Sequence, residues 1–319
     1  MDRSPLQRTI LEFRQTYEEF VSKGEVEMRV SDMRPHDAAN WKKRDGELHP
    51  SSFPFCGLRQ AYERLIRDPD PIIELDFGRD YYLPAGTVFH TAIQKWLGMS
   101  EKTLGDWRCH SCGNTRKLKV MPQKPCKCGV FDWEYHELGG TWGKNIHWHT
   151  DGIFVKANGK YWVIDYKTTS SYGIDEHRKT KTVFPYQANR AQIESYSVML
   201  EDNYSIEIEG WLLVYCARDS PGSMYKVEVV GGEMLADRKA EIRERLLQAD
   251  KDYTITHKVH DKPIAVFKRL TETKLCSDRD FYDHFVHSKY DECPLAKVCF
   301  NKEKRQAFLS AAVAKHKAK

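Results

Sequence analysis

Thr150-Asp151-Gly152-Ile153-Phe154-Val155-Lys156-Ala157-Asn158-Gly159-Lys160-Tyr161-Trp162-Val163-Ile164-Asp165-Tyr166-Lys167 reads as a β-hairpin. Two β-rich runs flank Asn158-Gly159, and Asn-Gly between such runs is a strong short-range turn signature. Asp165 and Lys167 are two apart, so they share one strand face with Tyr161 and Val163. The position of Asp151 depends on the loop. A two-residue loop sets it beside Tyr166, facing away from Asp165. A three-residue loop, Ala157-Asn158-Gly159 with a left-handed Gly159, sets it directly opposite Asp165. The two carboxylates are then close enough to hold one hard cation, although a solvated strand end also carries Asp and Lys. We expect the three-residue loop, joining antiparallel strands over 148–156 and 160–167.

Two further pieces flank the hairpin. Upstream, Gly86-Thr87-Val88-Phe89-His90 falls on a predicted helix. Downstream, Gln192-Ile193-Glu194-Ser195-Tyr196 places Gln192 and Tyr196 one helical turn apart, on one face. The order His, Asp, Asp-x-Lys, Gln-x-x-x-Tyr resembles the RecB family of PD-(D/E)XK nucleases, over roughly residues 50–300. The resemblance implies an α/β fold: a restriction-endonuclease-like core with a central mixed sheet flanked by helices. It also implies metal-assisted phosphodiester hydrolysis. Asp151, Asp165, His90 and the Tyr166 carbonyl would bind Mg²⁺ or Mn²⁺. Lys167 would position the attacking water, and Gln192 and Tyr196 would orient the nucleic-acid strand.

The chain has 319 residues, 40% of them hydrophobic, and a formal net charge of +4. Mean hydropathy is −0.66, and no apolar run approaches a membrane span. The sequence starts without a signal-peptide pattern, which predicts a cytoplasmic protein. With so small a net charge, nucleic-acid binding must come from a local basic face.

Nine cysteines without an export signal favour metal ligands over disulfides. Cys109-His110-Ser111-Cys112-Gly113 and Cys126-Lys127-Cys128-Gly129 are two short pairs, each followed by Gly. They read as two knuckles of a zinc ribbon, with Cys109, Cys112, Cys126 and Cys128 around one Zn²⁺. The stretch is basic, with Arg108, Arg116, Lys117, Lys119, Lys124 and Lys127.

Cys56, in a Cys-x-x-Arg-x-x-Tyr context, and the C-terminal Cys276, Cys293 and Cys299 resemble the iron–sulfur branch of this nuclease family. That branch includes the AddB-type recombination nucleases and the CRISPR-adaptation nucleases. The resemblance implies a [4Fe–4S] cluster joining the chain's two ends. Tyr290 stands where the family has a further cysteine, so Cys216 and His287 are alternatives to Cys276 as fourth ligand. Cys216 ends the apolar run Trp211-Leu212-Leu213-Val214-Tyr215 and otherwise reads as a core thiol.

These pieces divide the chain into an N-terminal helix and arm (1–50) and a nuclease core (51–300). A zinc-ribbon insertion (105–133) lies within the core, and an iron–sulfur segment and tail (270–319) follows. Glu137 is read as the inward acid of a first strand over 135–140. His147 and His149 share the parity of Asp151 and are read as lying on a wet strand face near the cation. Residues 168–183 are polar and predict a mobile substrate loop. No Gly-x-x-x-x-Gly-Lys-Ser/Thr is present, so the chain carries no helicase motor. The expected function is a DNA exonuclease on single strands or ends, in recombination, repair or phage DNA processing. Expected partners are DNA and helicase, recombination or replication proteins, with no membrane. The competing reading is a non-catalytic DNA-binding or assembly subunit that keeps the fold.

Overall fold

The computed structural model describes residues 4–20, 92–94, 97–217, 219 and 226–258. Helix α1 (Pro5–Phe20) opens on a reciprocal cap: Gln7 N–H donates to Ser4 Oγ, and Ser4 N–H donates to Gln7 Oε1. Pro5 occupies the first helical position, where its missing N–H is not needed.

Strands β1 (Thr103–Cys109), β2 (Thr115–Lys119) and β3 (Trp133–His136) precede β4 (Leu138–Trp142) and β5 (Ile146–Thr150). The quoted hairpin is β6 (Gly152–Val155) and β7 (Tyr161–Thr169). Helices α2 (Ser171–Thr180) and α3 (Gln187–Tyr204) then lead to β8 (Ile208–Ala217), β9 (Val227–Glu233) and α4 (Ala236–Lys258). The central sheet has the order β2-β1-β6-β7-β8-β9, with β3 also paired to β1. It is mixed, because β7 and β8 run parallel while the other pairs are antiparallel.

Strand alternation sorts β7 and β8 into two cores. Val163, Leu213 and Tyr215 pack with Ile193, Tyr196 and Met199 of α3 and Ile242 and Leu246 of α4. Trp162, Ile164, Tyr166, Leu212 and Val214 pack on the other face, against Phe13 and Tyr17 of α1 and Ile93 and Leu97. Helices therefore flank the sheet on both sides. Residues 193–200 of α3 are buried all round. Such burial needs neighbours on every side, and α3 has the sheet, α4 and the β4–β5 ribbon.

Two expectations need correction. The single strand over 148–156 is two strands: β5 pairs with β4 in a separate two-stranded sheet, and β6 pairs with β7. Residues 168–183 are not a loop. They finish β7 and then form α2, capped where Gly173 N–H donates to Ser170 Oγ. His177, Arg178 and Lys179 complement the carbonyl end of α2. The polar composition that suggested a loop is that of a surface helix carrying both terminal signatures.

Glu194 of α3 has a side chain only 2% exposed, bracketed by Arg190 at 2.8 Å and Arg238 of α4 at 2.6 Å. Removing one partner of a buried charge leaves it under-compensated. Arg238→Ala is therefore expected to lower stability by about 1–3 kcal/mol. Adding Glu194→Gln should recover part of that loss, as read from urea unfolding midpoints.

Candidate active site and metal centre

The hairpin closes through the three-residue loop. Gly159 has φ +77°, and its N–H donates to Lys156 O at 2.8 Å. The register pairs Val155 with Tyr161 and Gly152 with Ile164. Carried one step further, it sets Asp151 opposite Asp165. The chain bends at Asp151, where β5 leaves for β4. Asp151 Oδ2 accepts the Tyr166 N–H at 2.6 Å, so a side chain serves the backbone of β7 just past the last β6–β7 pair.

Both acids are buried, Asp151 at 7% exposure and Asp165 at 3%. The Lys167 ammonium lies 2.7 Å from Asp165 Oδ2. The angle of that ion pair falls outside hydrogen-bond geometry, so Asp165 Oδ2 is buried without a hydrogen bond. Lys167 Nζ donates instead to Gln192 Oε1 at 3.1 Å, and Gln192 Nε2 donates to Tyr196 OH at 2.6 Å. The structure thus brings Asp151, Asp165, Lys167, Gln192 and Tyr196 together. Burial first, then the charges of Asp165, Asp151 and Glu137, push the Tyr196 hydroxyl well above its ordinary range. It stays a neutral phenol, and three carboxylates converge on its surroundings.

Sequence reasoning missed Gln94 and under-used Glu137. Gln94 Nε2 donates to Asp151 Oδ1 at 3.2 Å and to Glu137 Oε1 at 3.0 Å, so one amide bridges two acids. Gln94 stands four residues after His90 in the sequence, the spacing of one turn in the helix predicted there, which was the available clue. Glu137 occupies the break between β3 and β4 rather than the middle of one strand. Tyr166 contributes its backbone N–H to Asp151, while its ring belongs to the opposite core. The bend at Asp151 also ends the shared parity of His147 and His149. His147 Nδ1 lies 3.2 Å from Thr141 Oγ1 across the β4–β5 ribbon, and His149 is exposed opposite Gly139. His90 lies outside the described residues, as do Cys56, Cys276, Cys293, Cys299 and His287.

The sulfur centre is built by two knuckles. Cys109 N–H donates to Asn114 O, and Gly113 N–H donates to Cys109 O. In the second knuckle, Cys126 N–H donates to Val130 O and Gly129 N–H to Cys126 O. Gly113 and Gly129 have φ of +70° and +84°, conformations that favour glycine. The four sulfurs lie within 4.8 Å of one another. Cys109–Cys128 and Cys112–Cys126 separations are 3.7 and 3.5 Å. A tetrahedral tetrathiolate site with metal–sulfur bonds of about 2.3 Å has sulfurs about 3.8 Å apart, so the group fits a metal ion. The Cys128 N–H, then the neighbouring thiols, lower the Cys126 thiol to about 7, while, against a backbone hydrogen bond from Asn114, the Cys126 thiol and desolvation raise Cys112 to about 12, so one proton leaves this pair more easily than the other. Cys216 differs: burial pushes its thiol up to about 12, and it packs in the α1-side core. Among the described residues it is a core thiol.

Cys112→Ser should remove the metal ion held by the four sulfurs, measured by native mass spectrometry with elemental analysis. Limited proteolysis should then open residues 105–133, which are too few to bury a core of their own, while β6–β9 stay protected.

No protein-family model and no curated protein matches the sequence. Among solved structures, the crystal structure of SSO0001 aligns at 17% identity and a TM-score of 0.34, over 78% of this chain and 87% of that one. An alkaline exonuclease (LHK-Exo) from Laribacter hongkongensis aligns at 15% identity and a TM-score of 0.25, over 42% of this chain and 62% of its own.

Proposed function

We propose that this chain is a metal-dependent nuclease that cleaves phosphodiester bonds of DNA, as an exonuclease on single strands or ends. The observation that carries this reading is the buried Asp165 Oδ2. It makes no hydrogen bond, stands 2.7 Å from Lys167, and lies across the hairpin from a second buried carboxylate. A buried carboxylate oxygen met by an ammonium alone, across the hairpin from another buried acid, suits exchange of that ammonium for an oxygen-seeking divalent cation.

Asp151 and Asp165 would hold Mg²⁺ or Mn²⁺, with the Tyr166 carbonyl and His90 as further ligands. When bound, such a cation polarises the phosphate and lowers the pKa of its water. Lys167 is held by Gln192 beside Asp165, where its ammonium stabilises charge developing on the phosphate. Tyr196, a neutral donor tied to Gln192, orients the strand. Zn²⁺ is the ion we assign to the four cysteines, because closed four-thiolate sites of this spacing suit it. Exposed Arg108, Arg116, Lys117, Lys119, Lys124 and Lys127 lie on the same stretch of chain and would meet the DNA backbone.

Purified protein with Mn²⁺ should degrade single-stranded DNA or DNA ends. Asp165→Ala and Lys167→Ala should each reduce kcat at least about 10²-fold. Asp165→Ala should not lower the unfolding midpoint; Lys167→Ala, which leaves two buried acids without their cation, should lower it while the protein stays folded at the assay temperature. Undiminished cleavage by either variant would refute this site.

We also propose a [4Fe–4S] cluster at Cys56, Cys276, Cys293 and Cys299, on the sequence resemblance. Anaerobically purified protein should contain iron, and Cys299→Ser should lose it while Cys112→Ser retains it. Retention of full iron by Cys299→Ser would refute that assignment.

A further inference from the structure

Two packed side chains, Trp107 and Tyr135, lie between the sulfur centre and the carboxylate pair. Strand β1 serves both. At Thr103 and Leu104 it pairs with β6, and from Asp106 to Cys109 it pairs with β3. Strands β6 and β3 therefore lie end to end along one edge of β1. The gap between them falls at Gly105, next to Gly152.

Tyr135 of β3 fills that gap. Its hydroxyl donates to the main-chain carbonyl of Asp151. A Cβ at Gly105 would come within 2.0 Å of the Tyr135 ring, and one at Gly152 within 3.0 Å of its hydroxyl. The two glycines leave the space in which the ring lies. On its other side the ring meets Trp107 edge-on, with centroids 5.2 Å apart.

Trp107 packs in one cluster with Cys109, Cys126 and Trp133. Its own ring would lie 2.5 Å from a Cβ at Gly98, in the helical stretch shortly after Gln94. Cys109 is only about 13 Å along β1 from Gly105, at roughly 3.3 Å per residue. The cysteine knuckles are short loops with little apolar material, so a bound metal is what fixes them. Contacts run unbroken from the sulfurs through Trp107 and Tyr135 to the backbone of Asp151.

We propose that Tyr135 is a positioning residue that makes cation binding by Asp151 and Asp165 depend on an intact sulfur centre. Loss or oxidation of the sulfur site would then weaken the hydrolytic site without unfolding β6–β9. This rests on the reading of Asp151 and Asp165 as a divalent-cation site.

The test is Mn²⁺ binding to the full-length, DNA-free protein, followed by electron paramagnetic resonance. Tyr135→Phe removes one oxygen and keeps the ring. It should weaken Mn²⁺ binding about 10-fold or more, the usual effect of losing a group that orients a ligand, with sulfur-bound metal and melting temperature unchanged. Cys112→Ser should weaken Mn²⁺ binding by a similar factor. Gly105→Ala should do so as well, by displacing the ring with its hydroxyl intact. Unchanged Mn²⁺ affinity in folded Tyr135→Phe or in Cys112→Ser would overturn the coupling. Asp165→Asn separates the two readings. If it lowers Mn²⁺ affinity while Tyr135→Phe does not, the cation site stands and the coupling falls. If wild-type protein and Asp165→Asn bind Mn²⁺ equally, the carboxylate site itself is wrong and the inference falls with it.

Discussion

The left-handed turn at Gly159 sets the register of β6 against β7, and the site depends on that register. Side chains alternate with period two, so a slip of one residue would turn Asp151 away from Asp165. At φ +77° a residue with a Cβ is strained, and the Gly159 N–H also closes the loop onto Lys156. The same register aligns Ile153 and Val163 on one apolar face and Phe154 and Trp162 on the other. A slip would bury the wrong set. The core and the placement of the two acids therefore depend on the same pairing.

Asp151 stands where an ordinary strand would continue. By accepting the Tyr166 N–H it supplies through its side chain what a main-chain carbonyl supplies elsewhere in the ladder. The chain is then free to leave the sheet, and β5 pairs with β4 beneath α3. Trp148 of β5 accordingly packs near Tyr196 and Tyr204 of α3. One carboxylate ends a strand, places a second small sheet and remains next to Asp165. A strand break of this kind departs from regular pairing while keeping the freed backbone group hydrogen-bonded.

The hairpin, the i, i+4 pair Gln192 and Tyr196, and the cysteine knuckles were legible because each is a short-range pattern. Turn chemistry, helical spacing and ligand spacing are all written within a few residues. The division of 148–156 at Asp151 was not legible, because it depends on a partner, Tyr166 N–H, fifteen positions away. Helix α2 was hidden by its composition, although Ser170 and the basic last turn were there to be read. The double duty of β1 was beyond reach of spacing alone. It comes from Gly105, whose missing side chain matters only because Tyr135 crosses it. Gln94 was obscured for a similar reason: its two acceptors, Asp151 and Glu137, lie on different elements.

The two acids are held in different ways, and the difference bears on how a cation would be received. Asp151 is fixed at both oxygens, by Gln94 and by the Tyr166 N–H, and at its main-chain carbonyl by Tyr135. Asp165 has Lys167 as its charge partner at Oδ2. Two buried carboxylates side by side would repel and lose solvation unless compensated, and Lys167 supplies the compensation. A divalent cation shared by both acids would compete with the ammonium for Asp165. Lys167, already hydrogen-bonded to Gln192, would then be left with charge to offer a phosphate. The same lysine thus offsets the charge of two buried acids and is held by Gln192 at their side.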